Sequence, residues 1–431
     1  MFRLFSQKCT KLIKNAGRIS EEPMRILFLS TYFRPESATN AILMTLLAEE
    51  LVALGHEVSV ITGMPHYDAN RIWDKYRGKL WVKEQHGSIP LTRVYLYLPS
   101  KKSNVIGRLL SYLSFNLLST FAGLFAPKFD LLFVPSPPLT NGVCASLLSR
   151  LRRVPFVYNV QDIYPDVAVR LGILTNPRLI RVFERMERFV YTRAAAVSVI
   201  SGSFRRNLLA KGVPESKIAT IPNFVDTSFV TPLPRDNAFR KEQGWGEKFV
   251  VLFAGNVGLS QGLETVLEAA GHLRDVPDIL FAIVGSGTTK QGLVDKAEEM
   301  QLTNVHFLPL QPYERVPELY SAADIGLVPL RKGLTEDSVP SKLWTIMGVA
   351  RPVLVGVDKT SDTYAVVQEA DAGVCVPPED PGALAEAIRA LHQDPERAAE
   401  MGRRGRAHVE AHYTSVSVAR QYEALFTKLL S

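Results

Sequence analysis

Three glycines and a lysine mark the most chemically suggestive part of this sequence. Residues 249–270 read FVVLFAGNVGLSQGLETVLEAA: an apolar run closed by Gly255, then Gly258 and Gly262, then apolar residues at helical spacing (Leu263, Val266, Leu267, Ala270). Strand, glycine-rich turn and helix in that order let the backbone approach a ligand closely and aim helix N–H groups at it, which suits a phosphate. Many α/β crossovers use glycine only to turn, so the pattern draws its weight from two further features. FAIVGSG (281–287) is a second strand ending in glycines, and VPSKLWTIMGVARPV (339–353) places Lys342 at the start of a helix. Three such strand ends in one half fit a nucleotide crevice at the carboxyl edge of a parallel sheet.

A recurring strand–helix alternation must hold these residues. MRILFLSTYF (24–33) is a buried strand pattern, followed by a helix pattern from Ala41 to Leu54 and a strand EVSVIT (57–62). DLLFVP (130–135), a helix from about Leu139 to Arg152, PFVYNV (155–160), AAAVSVIS (194–201) and KIATIPN (217–223) continue the first half. In the second half, strands are predicted near 249–253, 279–285, 304–308, 325–329, 352–355 and 373–376, with helices between them. The alternation argues for parallel, doubly wound sheets with right-handed crossovers, hence an α/β chain with two Rossmann-like domains facing a central cleft. The expected division is a basic extension (1–23), a first domain (24–223), a linker rich in Pro, Asp and polar residues (224–247), a second domain (248–400) and C-terminal helices (401–431) that pack back on the first domain.

Composition narrows the classes. A chain of 431 residues with 46% hydrophobic content can fill two to three domain cores. Cys9, Cys144 and Cys375 are too far apart in sequence for a disulfide framework or metal cluster, and no HExxH occurs among the eight histidines. No metal or cofactor is expected, and the setting is expected to be reducing and cytoplasmic. The net charge of +7 is modest and scattered, which argues against nucleic acid and leaves a solvated surface, nucleotide phosphates or an anionic membrane. The first 23 residues carry five Lys/Arg without a signal-peptide core, and are either a surface-binding segment or precede the real start at Met24.

One stretch departs from the soluble pattern. SNVIGRLLSYLSFNLLSTFAGLFA (103–126) contains a single charge, Arg108, and follows Lys101 and Lys102. It is short for a bilayer span and is expected to be either a buried helix or a helix lying in the membrane interface with those cations toward headgroups. Leu113 and Phe115 are the positions whose replacement by charge separates the two.

The whole set, with HFLPLQPYERVPELYSAADIGLVPL (306–330) and NVQDIYPDVAVRLG (159–172), resembles glycosyltransferase family 4 over about residues 24–430, and within it bacterial polysaccharide-assembly members such as L-fucosamine and colanic-acid-type transferases. The resemblance implies a GT-B fold and a nucleotide-sugar donor used with retention of configuration and without a metal. It further implies a polyprenyl-diphosphate-linked saccharide as acceptor and a place on the inner face of the cytoplasmic membrane. Departures from the family pattern are visible. Arg and Lys usually grip the diphosphate from the turn, where this chain has Asn256 and Gln261; Thr345 replaces one of two spaced carboxylates; Gln161 stands for the usual histidine; and Thr39-Asn40 stands for a common Gly-Gly.

The expected donor contacts are therefore Gly255, Asn256, Gly258 and Gln261 in the turn, Gly285 and Leu310 beside the base, and Ser341 and Lys342 of PSK, with Lys342 as the missing cation. Arg331 and Lys332 are weaker candidates, and an ordinary surface lysine is the bland reading of Lys342. Glu336 or Asp337 is expected to bind sugar hydroxyls, although an acidic pair entering a helix also suits the macrodipole. Asp162 is expected to meet acceptor or donor, although it would serve equally as a helix cap. Retaining transfer needs no protein nucleophile, so the lack of a triad does not count against it. Two further functions stay open: a nucleotide-sugar 2-epimerase, and a nucleotide-sugar-binding protein that has lost catalysis.

Overall fold

The computed structural model describes residues 22–66, 70–99, 105–334 and 339–431. In the first half, β1 (Arg25–Ser30), β2 (Glu57–Gly63), β3 (Trp81–His86), β4 (Ile89–Val94), β5 (Leu131–Pro135), β6 (Phe156–Val160), β7 (Ala196–Val199) and β8 (Ile218–Thr220) form one sheet in the order β3-β4-β2-β1-β5-β6-β7-β8. Strands β5, β6 and β7 are buried along their whole length, as strands covered on both faces must be. Only β3 is antiparallel, hairpinned to β4, and its exposed and half-buried residues alternate. That alternation, without a continuous apolar run, is why the hairpin escapes a search for buried strands.

The helices of this half are α1 (Thr39–Ala53), α2 (Val105–Leu124), α3 (Thr140–Arg152), α4 (Asp166–Arg170), α5 (Pro177–Arg193) and α6 (Gly202–Ala210). Helix α5 starts where a sequence signal says it should: the Asn176 side chain accepts from the Arg178 N–H and Pro177 occupies the first turn.

The second sheet joins β9 (Phe249–Asn256), β10 (Ile279–Ser286), β11 (Val305–Leu308), β12 (Ile325–Pro329), β13 (Val353–Gly356) and β14 (Gly373–Val376), all parallel, in the order β11-β10-β9-β12-β13-β14. Helices α7 (Ala238–Glu242), α8 (Glu264–His272), α9 (Lys290–Glu299), α10 (Val316–Ser321), α11 (Lys342–Gly348), α12 (Asp362–Ala370), α13 (Pro381–Gln393) and α14 (Pro395–His412) belong with it. The segment 224–247 is more than a connection: Phe239 and Trp245 are buried in the second core, 0% and 1% exposed. The expected boundary at 400/401 falls inside α14, which packs on α11 and stays with the second sheet.

The final helix, α15 (Ser415–Leu430), crosses back. It packs on α1, and its Tyr422 and Phe426 stand 5.2 and 5.8 Å from the ring of Phe133 in the first core. Burying two such rings stabilises the fold by roughly 1.5–3 kcal/mol each. Polar contacts fix the register: Asn159 Nδ2 donates to the Tyr422 hydroxyl at 3.0 Å, and His56 Nε2 meets the Glu423 carboxylate at 3.1 Å.

The two sheets face each other by their carboxyl edges. Three contacts show it, each between segments that follow the carboxyl ends of strands. Asp362 accepts from the backbone N–H and hydroxyl of Ser203, both at 2.7 Å; Arg170 donates to the Gly333 carbonyl at 3.2 Å; and the Arg34 guanidinium lies 4.7 Å over the Tyr313 ring. Among the described residues no helix is long and apolar enough to cross a membrane. Within 103–126, helix α2 divides the two test positions: Leu113 is exposed and Phe115 is 1% exposed in the first core. Lys101 and Lys102, and the side chain of Arg108, lie outside the described residues.

Candidate functional site

The site is built from the second sheet outward. Strand β9 ends at Gly255, whose φ of +141° lies in the range that favours glycine, and the chain turns again at Gly262 with φ +57°. Beside it β10 ends at Gly285. A methyl group there would stand 1.9 Å from the Gly255 carbonyl oxygen, so the two strand ends touch backbone to backbone. This close approach joins the ends of β9 and β10, where the Val257 N–H donates to the Ser286 carbonyl at 2.9 Å.

Lys342 enters this turn from another element. It is the first residue of α11, preceded by Ser341, and its Nζ donates to Gln261 Oε1 at 2.7 Å. The ammonium lies 3.7 Å over the Phe253 ring and 3.6 Å from where a Cβ on Gly255 would be. Burial alone pulls its pKa down to about 7, and no carboxylate pairs with it among the described residues. An ordinary surface lysine would show neither property. Desolvated cations are normally paired, and an unpaired one is a place prepared for an anion.

The other expected donor contacts lie around this point. Gln261 turns its oxygen to Lys342, and its amide nitrogen lies 3.3 Å from the Ser260 hydroxyl. Asn256 is exposed at the end of β9, its Nδ2 2.8 Å from the Cβ position of Gly258. Leu310, 45% exposed, follows β11. Arg331 lies close to the turn but is already compensated, 3.5 Å from Glu264 and 3.6 Å from Glu379. Glu336 and Asp337 lie outside the described residues.

One cation escaped the sequence reading. Lys290 opens α9, and its Nζ donates to the carbonyls of Gly285 at 2.7 Å and Leu308 at 2.6 Å, closing the gap between the ends of β10 and β11. Burial lowers its pKa. The signal was present: GSGTTK, like VPSK, puts a lysine at a helix start just after a strand end.

The facing wall belongs to β6. Gln161 and Asp162 follow that strand, and the backbone N–H of Gln161 donates to the Ser136 hydroxyl at 2.9 Å. The Gln161 amide is held on both sides, donating to Asn159 Oδ1 at 2.7 Å and accepting from Asn223 Nδ2 at 2.8 Å. Neither asparagine was singled out in the sequence, because each serves only to orient a neighbour. Burial raises the Asp162 carboxyl to about 6, and no cation compensates it among the described residues. Its side chain does not cap α4, whose N-cap is Pro165. Asn40 donates to the Ser136 carbonyl at 3.3 Å while its Oδ1 is buried without a partner. The structure thus gathers Gly255, Gly258, Gln261, Gly285, Ser341 and Lys342 on one wall and puts Asp162 on the sheet edge opposite.

Comparison with known proteins covers both halves. Residues 43–223 match the family described as Glycosyl transferase 4-like domain, and residues 235–408 match Glycosyl transferases group 1. WcaI of Escherichia coli (strain K12), a protein ascribed to colanic acid biosynthesis as a glycosyl transferase, is 31% identical over 376 residues, covering 85% of this chain and 91% of its own. Among solved structures, sucrose-phosphate synthase from Thermosynechococcus elongatus superposes with a TM-score of 0.74 at 19% identity, over 94% of this chain and 99% of that one. Anabaena Alr3699/HepE in complex with UDP-glucose gives 0.69 at 16% identity, over 94% and 100%. These likenesses show the GT-B fold.

Proposed function

Since the chain belongs to the family-4 glycosyltransferases, we propose that it moves a sugar from a nucleotide-diphosphate donor to a lipid-linked saccharide, with retention of configuration, in the assembly of a bacterial surface polysaccharide. One observation carries the reading: a desolvated, uncompensated lysine is brought to a glycine-rich turn at the end of β9. The turn lacks the Arg and Lys of typical members, and Lys342 supplies a cation to the same place from α11. Complexes of the structural neighbour with UDP and UDP-glucose lend the donor class support.

The chemistry follows from the two walls. The bond between the anomeric carbon and the diphosphate oxygen breaks, so charge grows on the departing diphosphate. Lys342, the Gln261 amide nitrogen and the backbone N–H groups after β9 stabilise that charge where it develops. The acceptor hydroxyl approaches on the face the diphosphate leaves, and its proton passes to the departing diphosphate oxygen. Asp162, ionised above about pH 6, orients the acceptor by accepting a hydrogen bond from a second hydroxyl of the same sugar, which leaves the reacting hydroxyl's proton free for the diphosphate oxygen. Glu336 or Asp337 binds donor-sugar hydroxyls, and Leu310 with Gly285 borders the base. In this mechanism the cation at the diphosphate is an ammonium, and no divalent metal takes part. The acceptor is a polyprenyl-diphosphate-linked saccharide at the inner face of the cytoplasmic membrane.

Incubation of the purified chain with radiolabelled nucleotide sugars and a membrane extract tests the reading. Label that moves into the lipid extract supports it. Epimerised donor, or donor binding without turnover, would replace it with one of the two alternatives, the second of which is favoured by Asn256, Gln261 and Thr345 standing where charged residues are usual.

A further inference from the structure

Helix α2 is apolar on both sides. Its inward face sets Phe115 in the first core, with Leu118 and Ala122 packed against it, beside Ser111, Asn116 and Ser119, which are 9, 5 and 0% exposed, and the buried Gly107 and Gly123. Its outward face is a stripe at i, i+4 spacing, Leu109, Leu113, Leu117 and Phe121, continued by Phe125 just beyond the helix. Leu117 and Phe125 are 73 and 74% exposed. A surface helix of a water-soluble domain turns polar and charged residues outward instead. A contiguous apolar stripe of this kind marks an interaction surface.

The neighbours say what it meets. Helix α2 packs on α3, and α3 on α5, so the three form one layer over the first sheet. Helix α5 presents exposed Arg178, Arg181, Arg185, Arg188 and Arg193 against one exposed acid, Glu184; its other acid, Glu187, is buried and bound by Lys211. None of these five arginines forms an ion pair among the described residues. At the opposite border Trp81, half exposed on β3, stacks on Phe121 at 6.1 Å.

We propose that the α2–α3–α5 layer is a membrane-docking plate, which lays the α2 stripe among acyl chains in the plane of an anionic bilayer and sets the α5 arginines against lipid phosphates. Apolar insertion beside free guanidinium groups is the pairing that such a surface recognises. An aromatic ring at the border suits the headgroup boundary. Charge complementarity selects an anionic lipid surface over a protein partner, and the α5 arginines extend the contact beyond residues 103–126. The plate gives the lipid-linked acceptor of the proposed function a place to be met, and in that purpose it rests on that reading; the docking is measurable without it.

The test uses the full chain and sucrose-loaded vesicles of phosphatidylcholine alone or mixed with phosphatidylglycerol. Recovery with the mixed vesicles should exceed that with phosphatidylcholine at least tenfold at low salt, and high salt should release only part of the protein. Leu113→Glu combined with Leu117→Glu should lower recovery at least tenfold, with a melting temperature within a few degrees of wild type because both side chains are exposed. Arg181→Glu combined with Arg185→Glu should remove the preference for anionic lipid. Phe115→Glu is the contrast, a core change that lowers the melting temperature. A folded wild type that never pellets overturns the plate. So does a wild-type dimer that the leucine variant splits while vesicle recovery stays unchanged, which would make the face a protein interface. Sugar transfer to a detergent-dispersed lipid extract is scored separately: docking without transfer removes the transferase reading and leaves the plate, and transfer without docking does the reverse.

Discussion

Replacing Lys342 by methionine should make the protein more stable and a worse enzyme. The change keeps the stem over Phe253 and deletes the ammonium. The fall of the lysine pKa from 10.5 to about 7 corresponds, at 1.36 kcal/mol per factor of ten in proton affinity, to a charging penalty on the order of 4–5 kcal/mol. Loss of the hydrogen bond to Gln261 and of the ring contact returns about 1–2 kcal/mol, which leaves a net gain on the order of 3 kcal/mol. The melting temperature should rise by several degrees in the absence of donor. The sign with pH follows from the depressed pKa. Between about pH 7 and 10.5 the unfolded chain holds the proton more tightly than the folded one, so wild-type stability climbs through that window. The advantage of the variant should therefore be full below pH 7 and gone above 10.5. Losing a charge-assisted phosphate contact of about 1.5–3 kcal/mol should lower kcat/KM for the donor about 10- to 150-fold. Calorimetry across pH and steady-state kinetics on the same preparations read both effects. A variant that melts lower than wild type, or turns over as fast, refutes the argument.

The pH dependence of kcat/KM should be a narrow bell, rising as Asp162 ionises near pH 6 and falling as Lys342 loses its proton above about 7. Asp162→Asn should abolish the acid limb; because burial raises that carboxyl, its charging opposes folding as pH climbs from 3.8 to about 6, so the variant should gain stability relative to wild type above that window. EDTA should leave transfer unchanged, and restoration of lost activity by magnesium or manganese would reverse the assignment of Glu336 and Asp337 to sugar hydroxyls. Alanine at either of those positions should alter donor preference or turnover at constant melting temperature, and two fully active variants would reduce the pair to helix decoration. Gly285→Ala, whose methyl group would meet the Gly255 carbonyl at 1.9 Å with φ at +151°, should destabilise by about 3 kcal/mol or more and lose the thermal shift given by nucleoside diphosphates.

The second sheet was legible in the sequence because its strands, β11 with His306 excepted, are apolar runs ended by glycine, proline or a polar turn, and the structure places β9 to β14 where the strands are expected. The choice of Lys342 came from its place in PSK, but its approach to Gly255 depends on the packing of α11 beside β12 and β13, which brings its first residue to Phe253 at the end of β9, a tertiary fact with no local signature. Lys290 could have been reached by the same logic. The half-exposed β3–β4 hairpin lacks a buried run, and the burial of Phe239 and Trp245 is masked by polar neighbours. Asn159 and Asn223 act only through Gln161, and residue type alone does not announce that role. In α2 the sequence could tell that the helix is apolar, but not that its serines point inward.

The crossing of α15 has a consequence for synthesis on the ribosome. The first domain closes its core with Val418, Ala419, Tyr422 and Phe426, against strands that were made first. The entire second domain is translated in between, which at roughly 5–20 residues per second takes on the order of tens of seconds. Throughout that interval the emerging first domain carries an open apolar seam along β1 and β5, facing α1, where holding chaperones would bind. Premature termination anywhere in the second domain thus yields a first domain that cannot finish itself, and folding of the first core waits on synthesis of the second.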